Sequence, residues 1–263
     1  MSKKRADILI YEKNLVDSRE KAKRLIMEGV VYVGENKVEK PGEFFLEDTE
    51  FIIKSNPLKY VSRGGLKLEK AIEEFNLNLN NKICMDIGAS TGGFTDCMLQ
   101  NNAKKVYAVD VGYGQLDWKL RNDNRVVVLE RTNIRKIDKN MIKDKIDFIS
   151  IDVSFISLEL VLPVAKELLS NEGIIIALIK PQFEAGKNKV GKKGIIKDKN
   201  IHLETVMKII NFAKTLELYT SGFTYSPIKG MTGNIEFLIM LDRAKKEDNL
   251  DIEKIILDAH EKL

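Results

Sequence analysis

Four charged residues fall at or beside the ends of predicted strands. Asp152 follows the apolar run 148–151, Lys180 follows the run 174–179, and Glu236 lies at the start of the last predicted strand. Lys67 lies in a predicted helix that precedes the first of these strands. Because the carboxyl ends of parallel strands share one edge of a sheet, Asp152 and Lys180 are expected to meet there. Glu236 would join them if its strand runs antiparallel.

This combination of side chains suits the deprotonation of a weakly acidic hydroxyl group. A ribose 2′-hydroxyl has a pKa far above that of any side-chain base. A lysine becomes a useful base only when burial or a neighbouring positive charge lowers its pKa towards neutrality. Two neighbouring lysines would do this to each other, and two carboxylates would position them. Each of the four residues alone is better explained as a solvated charge beside the end of a strand. All four together, beside the glycine-rich loop described next, favour catalysis.

A glycine-rich loop, Asp86-Ile-Gly-Ala-Ser-Thr-Gly-Gly-Phe94, directly follows the predicted strand 83–87. Glycines between a strand and a helix let backbone amides approach a ligand closely. The spacing G-x-x-x-G-G departs from the dinucleotide fingerprint G-x-G-x-x-G. Asp86 suits a cofactor that carries an amino-acid moiety better than a diphosphate. Asp110 ends the next strand, where a carboxylate would accept hydrogen bonds from adenosine ribose hydroxyls. The alternatives are a plain connecting turn or a dinucleotide site.

From Val61 onward the hydrophobic pattern alternates between helices and strands. Long apolar runs suit strands that are buried on both faces of a mostly parallel α/β sheet, with the last strands antiparallel. The predicted helices are 66–75, 94–100 and a closing helix from Asn249, and the predicted strands are 83–87, 105–109, 126–129, 148–151, 174–179 and 235–241.

The first segment predicts a small α+β domain made of two helices followed by short strands. Asp17 and Glu20 have capping-box spacing for a helix to about Glu28, and Gly29 would end it. Strands are predicted at 30–33 and 51–53, with a turn at 34–36. Turn formers at 55–57 mark a boundary. We therefore expect one domain over 1–57 and a second over 58–263.

Basic residues concentrate in two places, although the formal net charge of +4 is too small to indicate a nucleic-acid partner. One is the second predicted helix, and the other is a glycine-lysine loop over 187–199 that could clamp RNA phosphates and become ordered on binding. Solvated surfaces are the alternative for both. The RNA-contact candidates are Lys4, Arg5, Arg19, Lys21, Lys23, Arg24, Arg63, Lys187, Lys189, Lys192 and Lys193.

The remaining composition argues against several classes of protein. No apolar run approaches the roughly 20 residues that a membrane-spanning helix needs, and the basic N-terminus lacks the apolar stretch of a signal peptide. We expect a cytoplasmic location, with Cys84 and Cys97 as reduced, buried thiols. Two cysteines and two distant histidines offer no ligand cluster, so no metal is expected. A monomer is the default state.

Several motifs resemble those of one family across essentially the whole chain. Lys67, Asp152, Lys180 and Glu236 resemble the Lys-Asp-Lys-Glu tetrad of the FtsJ-like ribose 2′-O-methyltransferases. More particularly, the chain resembles the TlyA, or hemolysin A, family of bacterial rRNA methyltransferases, and its first segment resembles an S4 RNA-binding domain. The stretches that carry the TlyA resemblance are 60–69, 86–95, 130–133, 180–184 and 190–194.

This resemblance implies a Rossmann-like, S-adenosylmethionine-dependent domain that methylates cytidine ribose in ribosomal RNA of the large subunit and, in some members, of the small subunit. It implies that Lys180 helps to deprotonate the 2′-hydroxyl, that Asp152 and Lys67 tune and orient Lys180, and that Glu236 completes the network. The implied cofactor residues are Asp86, Gly88, Ala89, Ser90, Thr91, Gly92, Gly93, Phe94, Asp110, Val111 and Asn133, the last near the adenine.

Three other functions compete with this one. A base methyltransferase acting on pyrimidine carbon 5 needs a nucleophilic cysteine, commonly after proline, and neither Cys84 nor Cys97 is so placed. Methylation of an exocyclic amine commonly uses an Asn/Asp-Pro-Pro-aromatic loop, but here that position reads Asp152-Val-Ser-Phe155. A membrane-damaging hemolysin would need an insertion element, for which the short closing helix is the sole candidate. A noncatalytic RNA-binding protein would not need the tetrad.

Overall fold

The chain divides into two compact units, Met1–Leu58 and Lys59–Leu263. The computed structural model describes residues 3–27, 29–53, 59–191, 194–230, 232–245 and 250–263. The boundary predicted at 55–57 lies outside these residues. Each unit has its own core of buried apolar side chains, so each is described by itself.

In the first unit, two helices pack with short strands around a small core. The core includes Leu9 and Ile10 from the first helix and Ala22 and Ile26 from the second, at helical spacing. Its described elements are β1 (Lys3–Arg5), α1 (Ala6–Glu12), α2 (Arg19–Met27), β2 (Val31–Val33), β3 (Asn36–Lys37), β4 (Phe44–Leu46) and β5 (Ile52–Ile53).

The ends of α2 only partly follow the prediction. Ser18, rather than Asp17, caps the helix, since its Oγ accepts from the Lys21 backbone N–H at 3.2 Å. Asp17 instead pairs with the Lys21 side chain one turn on, at 2.6 Å. Gly29 has φ +73°, and its N–H donates to the Ile26 carbonyl, as expected of a residue that ends a helix.

The second unit is built on a seven-stranded sheet with helices packed against it. The strands are β6 (Ile83–Ile87), β7 (Lys105–Val109), β8 (Val126–Leu129), β9 (Ile146–Ile151), β10 (Leu169–Ile179), β11 (Tyr219–Tyr225) and β12 (Phe237–Asp242). The described helices are α3 (Gly64–Glu74), α4 (Gly93–Gln100), α5 (Trp118–Arg121), α6 (Leu162–Leu168), α7 (Pro181–Glu184), α8 (Lys199–Thr215) and α9 (Ile252–Lys262).

The strand order β11-β12-β10-β9-β6-β7-β8 confirms the predicted Rossmann-like α/β class. Strands β6 to β10 are mutually parallel, and β12 pairs antiparallel with both β10 and β11. From β6 the chain builds outward through β7 and β8, and then returns to place β9 on the other side of β6. The carboxyl ends of β6 and β9 therefore flank the switch point, which is where open α/β sheets bind ligands.

Helix α8 and strand β11 are among the described elements that were not predicted, because their sequence signals are weak. Helix α8 buries Val206, Ile209, Ile210 and Ala213 at helical spacing, but lysines and β-branched residues obscure the pattern. Strand β11 reads Tyr-Thr-Ser-Gly-Phe-Thr-Tyr, with a glycine at its centre. It lies at the edge of the sheet, where a polar strand is tolerated.

The two histidines, distant in sequence, are in contact. His202 of α8 is fully buried, and its Nδ1 lies 2.9 Å from Nε2 of His260 in α9. Burial, with the nearby His260, lowers the pKa of His202 from 6.5 to about 4. Helix packing therefore brings together two residues that lie 58 positions apart in the sequence.

This pair predicts that the free energy of unfolding falls in mild acid. The unfolded chain takes up the His202 proton near pH 6.5, whereas the folded chain resists it down to about pH 4. Stability should therefore fall by about 3 kcal/mol as the pH is lowered across that interval. Urea unfolding from pH 7.5 to 4.5 would measure this, and the curve of His202→Gln should be flatter. Equal pH dependence in both proteins would contradict the assignment.

Candidate active site

The loop after β6 contains two glycines whose backbone conformation most other residues could not adopt. Gly88 has φ +88°, and a Cβ there would lie 2.3 Å from the carbonyl oxygen of Asp152. Gly92 has φ +95°, and a Cβ there would meet Leu120 at 2.2 Å. The amides of Gly88 and Ala89 both donate to the Val109 carbonyl. The glycines therefore let the loop turn tightly between the two strands that flank it.

Asp86 lies beneath this loop, inside the sheet. Its carboxylate is fully buried and accepts from the hydroxyl of Thr95 at 2.7 Å and from that of Ser150 at 3.1 Å. Burial raises the pKa of Asp86 to about 7, against the opposing effect of these two bonds. Its side chain thus connects β6 to α4 and β9, and Asp86 does not line the cleft described below.

Asp110, at the end of β7, holds the loop in place. One carboxylate oxygen accepts from the backbone N–H of Ser90 at 2.8 Å, and the other from that of Gly112 at 2.7 Å. Asn133 caps a short 3₁₀ helix by accepting from the Arg135 N–H at 3.1 Å. Both side chains line one open cleft, as does the exposed Val111.

That cleft has a volume of about 470 Å³, within the range of small-molecule sites. A second cavity, of about 120 Å³, lies on the other side of the loop. Gly88, Ser90 and Asp152 line both, so the two form one groove across the glycine loop. The smaller cavity is also lined by Ala89, Thr91, Gly93, Phe94, Ser62 and Gly64.

The four predicted tetrad residues meet beside this groove, where Asp152 lines both cavities. Lys67 Nζ donates to Glu236 Oε2 at 2.6 Å and lies 3.9 Å from Asp152 Oδ2. Lys180 Nζ lies 2.6 Å from Asp152 Oδ1. The register explains the meeting: Ile179, just before Lys180, pairs with Phe237, just after Glu236. The antiparallel start of β12 therefore lies at the carboxyl edge of β10.

The network alternates cation and carboxylate in the order Lys180, Asp152, Lys67 and Glu236. All four side chains are less than one-fifth exposed. Charges buried to this degree are stable only when paired, because each alone would lose its hydration. The Lys180 ammonium donates a hydrogen bond to Ser154 Oγ at 2.9 Å and forms its ion pair with the buried Oδ1 of Asp152. Asp152 thus lies between the two lysines and pairs with both.

Sequence reasoning missed the residues that fix the segment after Asp152. Glu184, at the end of α7, is buried and accepts from Ser157 Oγ at 2.6 Å and from the Leu158 N–H at 2.8 Å. Burial raises the pKa of Glu184. Phe155 has φ +64° and is 89% exposed, with its ring against that of Phe183. The signal available in the sequence was position, because Phe155 closely follows Asp152 and Glu184 closely follows Lys180.

The predicted RNA-contact residues come from both units. In the first unit, Arg5 and Arg19 share the carboxylate of Asp7, and Lys4 pairs with Glu12 and Glu47. Lys23 is half-buried and Arg24 exposed on α2, while Arg63 is exposed just before α3.

The predicted glycine-lysine loop is shorter than expected. Helix α8 begins at Lys199, capped by Asp198, and Lys187 and Lys189 belong to a 3₁₀ turn in which Lys189 pairs with Glu204 of α8. Lys192 and Lys193 lie outside the described residues. Downstream, buried Asn234 accepts from the Ile196 N–H and donates to the Gly194 carbonyl, which ties the end of this loop to the segment before Glu236.

The sheet and its groove define a class, the Rossmann-like methyltransferases. The chain matches the family described as FtsJ-like methyltransferase over residues 60–243 and the S4 domain over residues 4–50. It belongs to the FtsJ-like methyltransferase family, in a form that also carries an S4 domain. In the described residues, no group of three or more His, Cys, Asp and Glu could hold a metal ion.

Similar proteins cover nearly the whole chain. The "Putative rRNA methyltransferase YqxC" of Bacillus subtilis is 50% identical over 99% of this chain and 95% of its own length. The 16S/23S rRNA (cytidine-2′-O)-methyltransferase TlyA of Mycobacterium tuberculosis is 39% identical over 94% of each chain. A solved "Putative hemolysin from Streptococcus thermophilus" has a TM-score of 0.79 and 46% identity, covering 100% of this chain and 97% of its own.

Proposed function

We propose that the chain transfers a methyl group from S-adenosylmethionine to the ribose 2′-oxygen of a cytidine in ribosomal RNA. The observation that carries the proposal is the buried network of Lys180, Asp152, Lys67 and Glu236 beside the glycine-loop groove. Relatives named rRNA methyltransferases, at 39% and 50% identity over most of the chain, support ribosomal RNA as the substrate. Large-subunit RNA is the first candidate, and small-subunit RNA the second.

The residues along the groove fit the proposed cofactor. On one side of the loop, Asp110 and Asn133 offer polar atoms for a ribose and an adenine, and the cleft volume suits a nucleoside. On the other side, the smaller cavity beside Ser90 and Gly93 suits an amino-acid end. When bound, S-adenosylmethionine supplies a methyl group on a positively charged sulfur. Since Gly88 and Asp152 line both cavities, that methyl group would lie near the tetrad.

In this mechanism the protein's own groups hold the hydroxyl and move its proton. Lys180, after releasing its own proton to solvent, would take the proton of the 2′-hydroxyl, and the contact with Asp152 Oδ1 would orient the Lys180 amine. Lys67 would hold Asp152 in place through their ion pair, and Glu236 would in turn hold Lys67. Alignment of the oxygen with the methyl group would supply much of the rate. The exposed ring of Phe155, beside Ser154, offers a stacking surface for the base of the cytidine that is methylated.

The competing functions receive no support from the described residues. Cys84 and Cys97 are both fully buried, and burial raises the pKa of each to about 12, so neither suits nucleophilic attack on a pyrimidine. No described helix has the length and apolar character to cross a membrane. That the chain acts as a monomer stays a prediction.

Transfer of tritium from labelled S-adenosylmethionine to isolated ribosomal subunits tests the substrate. We expect label in the RNA of the large subunit, and in that of the small subunit if both are substrates, but none in transfer RNA included as a control. Label confined to transfer RNA, or to ribosomal protein, would overturn the proposal.

A further inference from the structure

A fully buried carboxylate lies between two arginines in the first unit. Asp7, in the first turn of α1, accepts from Arg5 Nε at 2.9 Å through Oδ1 and from Arg5 Nη2 at 3.2 Å through Oδ2. Arg19 Nε, from the start of α2, also donates to Oδ2, at 3.0 Å. One buried side chain therefore fixes two cationic side chains that come from different elements.

The ionised form of Asp7 is the stable one in this arrangement. Burial alone would raise the pKa of Asp7, but the hydrogen bonds from Arg5 and Arg19 outweigh it and hold that pKa below its usual value. The cluster keeps one net positive charge, and its two arginines remain about two-fifths exposed. Arg19 uses only Nε towards Asp7, which leaves both of its terminal nitrogens for another acceptor as far as the described residues extend.

The neighbouring lysines are held differently. Lys21 pairs with Asp17, whose side chain is 88% exposed, and Lys4 pairs with the half-exposed Glu12 and Glu47. These carboxylates face solvent, so they compete directly with an anion that approaches the lysines. Asp7 is shielded by the arginines themselves and cannot be displaced in this way. Asp7 therefore acts by fixing the positions of two arginines, whereas Asp17 acts mainly by placing a negative charge beside Lys21.

We propose that Asp7 is a positioning residue that fixes Arg5 and Arg19 as a preformed pair for the phosphate groups of RNA. The inference rests on the RNA substrate proposed above and adds how the first unit holds it. A guanidinium presents a planar set of donors that matches phosphate, and its affinity gains when the side chain is ordered before binding. The Asp7 carboxylate provides that order. Its negative charge alone would weaken RNA binding, so its benefit lies in fixing the two arginines.

The test compares Asp7→Asn with Asp17→Asn in the full chain. Each substitution removes one negative charge from the same unit, so electrostatics alone predicts that both bind RNA as tightly as the native chain or more tightly. We expect the opposite for Asp7→Asn, with affinity for a large-subunit rRNA transcript about tenfold weaker, and equal or tighter binding for Asp17→Asn. Arg19→Lys, which keeps the charge but not the Nε contact, should also weaken binding.

The salt dependence of binding separates positioning from a fold defect. A lost phosphate contact lowers the slope of log affinity against log salt by about 0.7 to 0.9. A partly unfolded variant loses affinity by the same factor at every salt concentration, so its slope is unchanged. Weaker binding of Asp7→Asn with a reduced slope supports the inference, and weaker binding with an unchanged slope overturns it. Unweakened binding of Asp7→Asn also overturns it, whereas no binding by the native chain overturns the RNA proposal itself.

Discussion

Replacing Lys180 with alanine should abolish methyl transfer while leaving cofactor binding intact. Lys180 is the tetrad amine proposed as the base, and its side chain lines neither cavity of the groove. Loss of a general base typically costs 10²- to 10⁴-fold, so we expect a rate reduction of about a thousandfold. Single-turnover transfer to ribosomal subunits measures the rate, and calorimetry with S-adenosylmethionine measures the affinity.

Lys166→Ala is the matched control for this prediction. Lys166 pairs with Glu217 at 2.8 Å and lies on α6, away from the tetrad. The control should retain full transfer. A Lys180→Ala rate close to that of the native chain would show that another group accepts the proton, and a large loss of cofactor affinity would show that Lys180 helps to hold the cofactor.

Replacing Gly88 with alanine should remove both cofactor binding and transfer. The new Cβ would lie 2.3 Å from the Asp152 carbonyl oxygen, a backbone atom that cannot rotate away, and φ +88° is itself unfavourable for alanine. Either the loop or the backbone of Asp152 must therefore move. We expect cofactor affinity to fall at least about a hundredfold, which corresponds to about 2.7 kcal/mol.

Gly34→Ala separates the clash from the backbone strain. Gly34 also has a positive φ, +59°, but a Cβ there meets nothing within 4 Å. That variant should lose some stability and bind the cofactor normally, as judged by thermal unfolding and calorimetry. Equal cofactor affinity in Gly88→Ala and the native chain would mean that the loop is free to shift and does not fix the groove.

The sequence predicted this sheet well because its signals are local. Buried parallel strands such as 83–87 and 105–109 are largely apolar, and Asp110, directly after the second of them, marks the binding edge. The position of Glu236 followed from one topological assumption, an antiparallel last strand, which the pairing of β12 with β10 confirms.

What the sequence could not supply is partnership between distant segments. Nothing in the local pattern around Glu184 indicates that its carboxylate holds Ser157 and Leu158, 27 and 26 residues away. The contact between His202 and His260 was missed for the same reason. Likewise, Asp86 read as a ligand residue, whereas packing places it inside the sheet, with Thr95 and Ser150 as partners.

The most direct test of the central claim is the chemical position of the transferred methyl group. RNA labelled by the native chain would be hydrolysed completely in alkali, which needs a free 2′-hydroxyl at each cleaved bond. A 2′-O-methyl group blocks that cleavage, so the account predicts that all label remains in one alkali-resistant dinucleotide whose 5′ residue is cytidine. Label in ordinary mononucleotides would place the methyl group on a base and contradict the role assigned to Lys180 and Asp152.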